Sequence, residues 1–385
     1  MSIRKNIDRF LRGFEKLFTT QNLIEVSKTA LLHNFDMFAD LSGQQIIPVL
    51  KGNAYGHSIE LVAAALKDRS FPYIAVDGYF EALRIREVSK QPVLVMGAIL
   101  PENFARMKYD NFAFVVQDVA TIHALGQTGK RTKVHLEINT GMNRYGVQLG
   151  EVATLVRLIQ SYKNLALEGV MSHLADSDGN DLATVEAAVN IFDTCVEAVY
   201  DAGAKPTILH ISQSAGSLKA RSTHANTMRL GIGLYGINPF PQDHVLHIKL
   251  QGKLQPALRL TSTITKIIEL QQGEGVSYNY TFTAPNKMRI GVLPLGYYEG
   301  VNRALSNTGT MKIGNAYVPI IGWICMNHTM INLDDLEVRL GDKVVVYSNN
   351  ASDQNSIDAI AYEHDLFAYN LLTALSSDVR RILIG

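Results

Sequence analysis

Short apolar runs alternate with amphipathic stretches between about residue 20 and residue 255 of the chain. Eight of the runs are short and bounded by turn residues, which is typical of buried strands. They cover residues 46–50, 73–76, 92–96, 112–116, 133–138, 168–173, 207–212 and 228–232. Segments between them have helical spacing, as in Val185, Val189, Phe192 and Val196. Strands that alternate with helices predict a parallel sheet, and eight strands close an α/β TIM barrel, (β/α)8.

The pattern changes beyond residue 255. The apolar runs there are rich in Thr, Ile and Val and are punctuated by Gly and Asn. They cover residues 258–269, 288–295, 310–313, 318–325, 329–333 and 343–347, and a helical stretch follows at 356–375. The sequence therefore predicts a barrel domain at residues 21–255 and a mainly β C-terminal domain at residues 256–385.

The first 20 residues have a pattern of their own. Apolar residues recur at helical spacing, and basic residues occupy positions between them. The segment lacks the uncharged apolar centre of a signal peptide. We expect residues 1–20 to be an amphipathic N-terminal extension that packs on the body of the protein or on a partner subunit in preference to a membrane.

Composition and charge argue against several classes of function. The numbers of basic and acidic residues are equal, 36 each, so the net charge of +0 offers no basic surface for nucleic acid. No apolar run approaches the roughly 18 residues of a membrane span. The two cysteines, Cys195 and Cys325, are far apart and have no metal-ligand spacing. We therefore expect a cytoplasmic protein with no metal site, no disulfide and no nucleic-acid partner.

The first predicted strand ends in a lysine. Lys51 follows the run 46–50 and precedes Gly-Asn-Ala-Tyr-Gly-His at residues 52–57. Barrels carry their active sites at the carboxyl ends of the strands, where an amine is a potential nucleophile. A lone lysine at a strand end is more often merely solvated. The residues around this one, however, closely resemble the pyridoxal-phosphate lysine motif of alanine racemases.

Five further segments are similar to alanine racemase motifs and follow the family order. They lie at residues 135–144, 168–173, 228–236, 275–278 and 322–327. The similarity extends from about residue 22 to the C-terminus, and the ordered set is far more specific than any single motif. On this resemblance the chain is identified as a member of the alanine racemase family, which implies a fold-type III pyridoxal-phosphate enzyme.

The resemblance implies a homodimer whose subunits share each active site, with the barrel of one facing the β domain of the other. Lys51 would hold pyridoxal 5'-phosphate as a Schiff base and exchange a proton on one face of the substrate α-carbon. Tyr278 from the partner subunit would serve the opposite face, because inversion through a planar carbanion requires one acid/base group on each side. The implied activity interconverts L- and D-alanine and supplies D-alanine for cell-wall peptidoglycan.

A set of phosphate contacts is expected in the loops that follow the last two predicted barrel strands. Ser214 and the pair Gly231 and Ile232 follow the seventh and eighth predicted strands, where TIM barrels often bind phosphate through backbone N–H groups. The resemblance adds Tyr55 and Tyr369, whose phenols would reach the same phosphate.

The resemblance also assigns the ring and substrate contacts. Arg229 would face the pyridine nitrogen and leave it uncharged, whereas a related decarboxylase is expected to have an acid there. His173 would orient Arg229. The substrate would contact Arg144 and the backbone N–H of Met326, and Tyr297 would narrow the entrance for a small amino acid.

Several departures from the family pattern concern the substrate. Glu137 stands where many members have a carbamylated lysine, and we predict that its carboxylate positions Arg144 instead. Trp323, Asn327 and the pair at 298–299 differ from the usual residues near the entrance. Two alternatives stay open: a serine or broad-specificity racemase on the same scaffold, and a non-catalytic pyridoxal-phosphate carrier.

Overall fold

The structure is a computed structural model that describes residues 19–108, 111–334 and 336–385. The predicted N-terminal extension therefore lies almost entirely outside the described residues. Within these ranges, no helix has the length and apolar character that crossing a membrane requires.

The first strand, β1 (Leu23–Ser27), joins a second sheet, and the next eight strands form a parallel barrel. The barrel strands are β2 (Gln45–Pro48), β3 (Ile74–Val76), β4 (Val93–Val95), β5 (Phe112–Val116), β6 (Thr132–Glu137), β7 (Leu165–Met171), β8 (Ile208–His210) and β9 (Thr227–Leu230). Their order is β2-β9-β8-β7-β6-β5-β4-β3. A parallel bridge between Val49 and Ala75 joins the two ends and closes the ring. All eight predicted strands are present, and the predicted TIM barrel is confirmed.

Helices precede the first barrel strand, connect barrel strands or follow the last one. They are α1 (Lys28–Ser42), α2 (Ile59–Ala65), α3 (Tyr79–Val88), α4 (Val119–Gln127), α5 (Leu149–Ser161), α6 (Ala183–Asp201) and α7 (Val245–Leu250). Side-chain caps start several of them, since Ser27 accepts the N–H of Ala30 and Asp118 that of Thr121. The apolar stripe predicted between residues 185 and 196 is the buried face of α6.

The barrel strands are buried on both faces. Every residue of β3, β4 and β5 is buried, because helices cover the outer face and side chains fill the interior. Strands in this environment are continuously apolar instead of alternating. This property explains why the sequence pattern located them.

A second domain consists mainly of strands. They are β10 (Leu258–Thr263), β11 (Lys266–Leu270), β12 (Gly275–Val276), β13 (Phe282–Thr283), β14 (Met288–Leu293), β15 (Thr310–Ile313), β16 (Ala316–Pro319), β17 (Thr329–Asn332), β18 (Lys343–Tyr347) and β19 (Arg380–Ile384). One sheet has the order β16-β15-β18-β10-β1-β19, a second has β11-β14-β17, and β12 pairs with β13. Helices α8 (Ile357–Glu363) and α9 (Ala368–Thr373) precede β19. The predicted mainly β C-terminal fold is confirmed.

Strand β1 belongs to the second domain, although the sequence placed residues 21–255 in the barrel. It pairs antiparallel with β10 and parallel with β19. Ile24 and Val26 are buried while the residues between them are partly exposed, as in a strand with one covered face. This alternation indicates a strand, but it does not say which sheet the strand joins.

Two predicted strands of the second domain are corrected. The run at 258–269 is two strands, because β10 pairs with β1 and β18 whereas β11 pairs with β14 in another sheet. The run at 318–325 stops as a strand at Pro319, which has no N–H for the ladder. Gly322 then turns the chain away with φ of 69°.

Candidate active site

A cavity of about 680 Å³ lies at the carboxyl ends of the barrel strands. A smaller cavity of about 180 Å³ adjoins it. Six residues line both spaces: Lys51, Tyr55, Asp77, His173, Gln213 and Gly231. A concave space with a few convergent polar groups is the usual form of a small-molecule site.

Lys51 stands where β2 has ended and the backbone enters a left-handed turn. Residues 52–56 all have positive φ, between 49° and 80°. Three of these residues are not glycine, and each costs roughly 1–2 kcal/mol in this conformation. Ala54 and Tyr55 are buried, so surrounding contacts hold the turn. Strain that persists in this way is a mark of functional sites.

A hydroxyl and backbone N–H groups form a cradle in the cavity wall. Ser214 Oγ accepts hydrogen bonds from the N–H groups of Gly231 (3.1 Å) and Gly233 (3.2 Å). A Cβ at residue 231 would lie 3.0 Å from the Tyr55 phenol oxygen, so glycine permits this close approach. Burial raises the pKa of Tyr55 and raises the pKa of Tyr369 to about 12. Both phenols therefore stay protonated and can donate to an anion.

Arg229 lies in β9 with only 2% of its surface exposed and donates to five acceptors. Nη1 donates to Nδ1 (2.8 Å) and the carbonyl oxygen (3.0 Å) of His210. Nη2 donates to the carbonyl oxygens of Ser172 (2.5 Å) and Ile211 (3.1 Å) and to His173 Nδ1 (3.1 Å). Burial lowers the pKa of Arg229 to about 10, which leaves it cationic near neutral pH. The guanidinium is thus a rigid, protonated donor.

Two buried histidines support Arg229 from the barrel interior. Because Arg229 donates to His210 Nδ1, the network assigns the His210 proton to Nε2, which donates to His135 Nδ1 at 2.8 Å. His135 Nε2 lies 3.8 Å from a carboxylate oxygen of Glu168. Burial lowers the pKa of both histidines. They therefore stay neutral and do not repel the arginine.

Glu168 ends this chain of side chains. Burial opposes its ionisation, but the nearby His135, the ion pair with Lys133 and the hydrogen bond from Tyr73 lower the pKa of Glu168 to about 2. Gly169 makes room for the arrangement, since a Cβ there would lie 2.3 Å from His135 Nδ1. Sequence reasoning assigned no role to His135, His210 or Glu168. The available signal was a polar or charged residue inside an otherwise buried barrel strand.

His173 and Glu137 lie at the smaller cavity. Burial and the nearby cations of Arg229, Arg144 and Lys51 lower the pKa of His173 to about 3, so it stays neutral. Burial raises the pKa of Glu137, and the charges of Arg229 and Arg144 oppose that rise. Among the described residues, no direct hydrogen bond or ion pair joins Glu137 to Arg144. Any effect of the Glu137 carboxylate on Arg144 is therefore indirect, without a hydrogen bond or an ion pair between them.

Three predicted site residues stand apart from the cavities. Tyr278, Tyr297 and Met326 belong to the second domain and are 66%, 44% and 54% exposed. They do not line either cavity, whereas nine other predicted residues do: Lys51, Tyr55, Arg144, His173, Ser214, Arg229, Gly231, Ile232 and Tyr369. The structure thus assembles one side of the site from the barrel together with Tyr369 of α9, and it leaves the other side exposed.

The three exposed residues lie on adjoining loops. The N–H of Tyr297 donates to the Cys325 carbonyl at 3.1 Å, next to Met326. Ser277 Oγ, next to Tyr278, donates to the Trp323 carbonyl at 2.6 Å. Contacts between loops therefore hold these side chains close to one another.

Some cavity residues were missed by sequence reasoning. Asp77, Glu81 and Gln213 line the larger cavity without a predicted role. Glu81 accepts the N–H of Gly52, 29 residues earlier in the chain, at 2.7 Å. No local sequence pattern predicts a hydrogen bond between residues this far apart in the chain.

The residues at the cavity fit pyridoxal phosphate. An amine lies in its wall for covalent attachment, N–H and phenol donors are available for the phosphate, and a buried cationic donor is available for the ring nitrogen. Within the described ranges, no group of His, Cys, Asp and Glu side chains is arranged to hold a metal ion.

Comparison with known proteins points to one family. The family model for the alanine racemase N-terminal domain matches residues 26–239, and that for the alanine racemase C-terminal domain matches residues 257–383. The alanine racemases of Francisella philomiragia subsp. philomiragia and Francisella tularensis subsp. tularensis are each 32% identical to the chain. These matches cover 94% of this chain and 100% of each relative.

Solved structures agree over nearly the whole chain. The alanine racemase of Bacillus anthracis with bound L-Ala-P has a TM-score of 0.87 and 28% identity, and the match covers 96% of both chains. The alanine racemase of Clostridium difficile 630 has a TM-score of 0.87 and 26% identity, covering 95% of this chain and 96% of that one. The chain therefore belongs to the alanine racemase family and is a pyridoxal-phosphate-dependent racemase.

Proposed function

We propose that the chain interconverts L- and D-alanine as a homodimer, with each active site formed by Lys51 of one subunit and Tyr278 of the other. The observation that carries the proposal is the separation of these residues: Lys51 lines the cavity, whereas Tyr278 is 66% exposed and does not. The relatives named alanine racemase support alanine as the substrate.

The proposed mechanism uses one acid/base group on each face of the substrate. When bound, pyridoxal phosphate supplies an electron sink for negative charge at the α-carbon. Lys51 Nζ would hold the cofactor and would move a proton on one face of the substrate. The phenol of Tyr278 from the other subunit holds and returns a proton on the opposite face, so the configuration inverts.

Arg229 favours racemisation over other reactions. Because it keeps its own proton and is held by five acceptors, Arg229 would donate a hydrogen bond to the ring nitrogen of a bound cofactor without giving up its proton. The cofactor would then be a weaker electron sink, which would favour return of the proton to the α-carbon. This residue argues against a decarboxylase.

The phosphate and the substrate have separate anchors. Ser214, Gly231 and Ile232 hold the phosphate through a hydroxyl and backbone N–H groups, and Tyr55 and Tyr369 donate their phenolic protons to it. These five residues line the larger cavity.

The substrate carboxylate contacts Arg144 and the backbone N–H of Met326 from the other subunit. Tyr297, also from that subunit, and Tyr369 narrow the entrance. A narrow entrance admits a small amino acid such as alanine more readily than a large one.

A serine or broad-specificity racemase is the second candidate, and the second-domain loops support it. Arg303 lies 4.3 Å over the Trp323 ring, and Asn327 Nδ2 donates to Glu299 Oε1 at 2.7 Å. These pairs fix the loops on both sides of Met326 and therefore shape the entrance. Serine exceeds alanine by one oxygen, which such a change can accommodate.

We propose that the D-alanine product is used for cell-wall peptidoglycan. The cytoplasmic location stays a prediction from the sequence.

The first experiment measures proton exchange at the α-carbon. The protein is incubated with pyridoxal phosphate and separate L-amino acids in D2O, and α-deuteration and the D-isomer are quantified. Rapid exchange with D-alanine formation supports alanine racemisation. Exchange that is strongest with serine or larger amino acids supports the second candidate. Cofactor attachment without any exchange would support the non-catalytic carrier and contradict the role of Tyr278.

The role of Glu137 has its own test. Replacing the carboxylate in Glu137→Gln removes the fixed charge near Arg144 with little change in shape. We expect weaker activity, because the carboxylate no longer orients the arginine. Kinetics identical to those of the unaltered protein would rule this role out.

A further inference from the structure

The turn that presents Lys51 adopts a conformation that its own residues disfavour. Asn53 and Ala54 have φ of 55° and 54°, in the left-handed region where side chains crowd the backbone. Such a turn persists only where neighbouring elements hold it. Two side chains of α3, Glu81 and Arg84, lie one helical turn apart and reach this segment.

Glu81 links the turn to the start of α3. Its Oε1 accepts the N–H of Gly52 at 2.7 Å. Its Oε2 accepts the N–H groups of Asp77 (3.0 Å) and Gly78 (3.2 Å). A single carboxylate therefore receives three backbone donors, and hydrogen bonds to a charged acceptor are stronger than neutral ones.

This contact fixes the backbone on the C-terminal side of Lys51. The peptide group between Lys51 and Gly52 is held by Glu81. The peptide group before Lys51 is held as well, since the carbonyl of Leu50 accepts the N–H of Ala54 at 2.8 Å. With both flanking peptide groups held, the direction in which the lysine side chain leaves the backbone is determined.

Arg84 holds the next residue of the turn. Its Nη2 donates to Asn53 Oδ1 at 2.7 Å, and the same oxygen accepts the N–H of Ile59 at 3.2 Å. Arg84 also forms an ion pair with Glu60 of α2 at 2.7 Å. The turn is thereby tied to two helices at once.

We propose that Glu81 is a positioning residue that aims the Lys51 amine into the cavity, with Arg84 as its second support. The inference rests on the proposed role of Lys51 and deepens it. The position of the Lys51 amine is set by α3, the helix that follows the next barrel strand, β3. Glu81 acts through the backbone and takes no part in proton transfer.

The test distinguishes an effect of Glu81 on the position of the Lys51 amine from an effect on the structure of the whole cavity. Glu81→Ala and Glu81→Gln are compared with the unaltered protein and with Glu87→Ala, which makes the same change at an exposed position of α3. Three quantities are measured: the rate of covalent attachment of pyridoxal phosphate, the affinity for pyridoxine 5'-phosphate, and kcat and KM for L-alanine. Pyridoxine 5'-phosphate has no aldehyde, so its affinity reports the cavity independently of the lysine.

We expect Glu81→Ala to slow covalent attachment and lower kcat by about 10- to 100-fold, because a small misplacement of a reacting group has an effect of this size. Its affinity for pyridoxine 5'-phosphate and its KM should match those of the unaltered protein. Glu81→Gln keeps one oxygen for the N–H of Gly52 but loses the acceptor for Asp77 and Gly78, so it should recover part of the rate. Glu87→Ala should behave as the unaltered protein.

Normal attachment and kcat in Glu81→Ala would overturn the inference. So would a parallel loss of pyridoxine 5'-phosphate binding, which would make Glu81 a support of the whole cavity. If the proposed function itself is wrong, the experiment gives a different result, because the unaltered protein would then not attach the cofactor through Lys51.

Discussion

The two sides of the proposed active site differ in how completely a single chain builds them. On the barrel side, Arg229 is 2% exposed and is held by five acceptors, and the histidines behind it are fully buried. On the second-domain side, Tyr278 and Met326 are more than half exposed.

Physical chemistry explains the difference. A buried cation has lost its water and needs acceptors from its own chain, so the barrel side has to be complete before any partner arrives. Exposed aromatic and thioether side chains remain stable in water, but apolar groups clustered on adjoining loops are typical of an interaction surface. The contrast supports a site that is completed by a second copy of the chain.

The largest expected effect tests whether each site needs two chains. Lys51→Ala and Tyr278→Phe each remove one of the two proposed acid/base groups, and each variant alone should lose activity by about 10³-fold or more. When the two variants are refolded together in equal amounts, half of the dimers are hybrids with one intact site. Formation of D-alanine should then recover to about a quarter of the unaltered level.

A refolded mixture that stays inactive would contradict the comparison, because Lys51 and Tyr278 of one chain would then act together. Tyr280→Phe is the matched control. Tyr280 is also exposed, at 72%, and has no proposed role. Its variant should keep full activity.

A smaller effect tests the packing of the barrel side. Gly169→Ala places a Cβ 2.3 Å from His135 Nδ1, so His135 has to move and its contact with His210 is lost. We expect the free energy of unfolding in urea to fall by about 1–3 kcal/mol. The kcat should fall by about 10-fold, because Arg229 loses part of its support.

Gly150→Ala is the control for this substitution. No atom lies within 4 Å of a Cβ at that position in α5, so the added methyl should leave stability unchanged or raise it slightly. Equal behaviour of the two variants would show that the interior histidines are not held as tightly as their distances indicate.

The smallest effect is a pH dependence of stability that originates on the barrel side. Burial lowers the pKa of His57 to about 4, whereas a histidine in the unfolded chain has a pKa of about 6.5. Below pH 6.5 the unfolded chain binds a proton that the folded chain does not, so stability falls as the pH drops toward 4. The loss from this histidine is about 2 kcal/mol at pH 5.

Urea unfolding at pH 7 and pH 5 measures this pH dependence of the free energy of unfolding. His57→Gln should reduce the difference between the two free energies by about 2 kcal/mol. His328→Gln makes the same substitution at an exposed position of the second domain and serves as the control. An unaltered pH difference in His57→Gln would show that the linkage has another source.

Local pattern was sufficient for the barrel and for part of the site. The run at 112–116 is β5 itself, because a strand covered on both faces is apolar at every position. The segments that resemble the family, together with the count of barrel strands, located nine of the predicted residues at the cavities. Eight of these residues follow or end barrel strands, whose carboxyl ends meet at one end of the barrel, and the ninth, Tyr369, lies in α9. The sequence pattern was less reliable for the predicted strand at 318–325, because a proline and a glycine end that strand early.

The sequence by itself determined the fold class and the family, and it predicted which side chains react. Only the tertiary structure decided that β1 joins the second sheet, that His210 and His135 support Arg229, and that Glu81 holds the peptide after Lys51. The reason is physical. Propensity and periodicity act between neighbours in the chain, whereas these contacts join residues tens or hundreds of positions apart and form only when the packed elements bring them within hydrogen-bond distance.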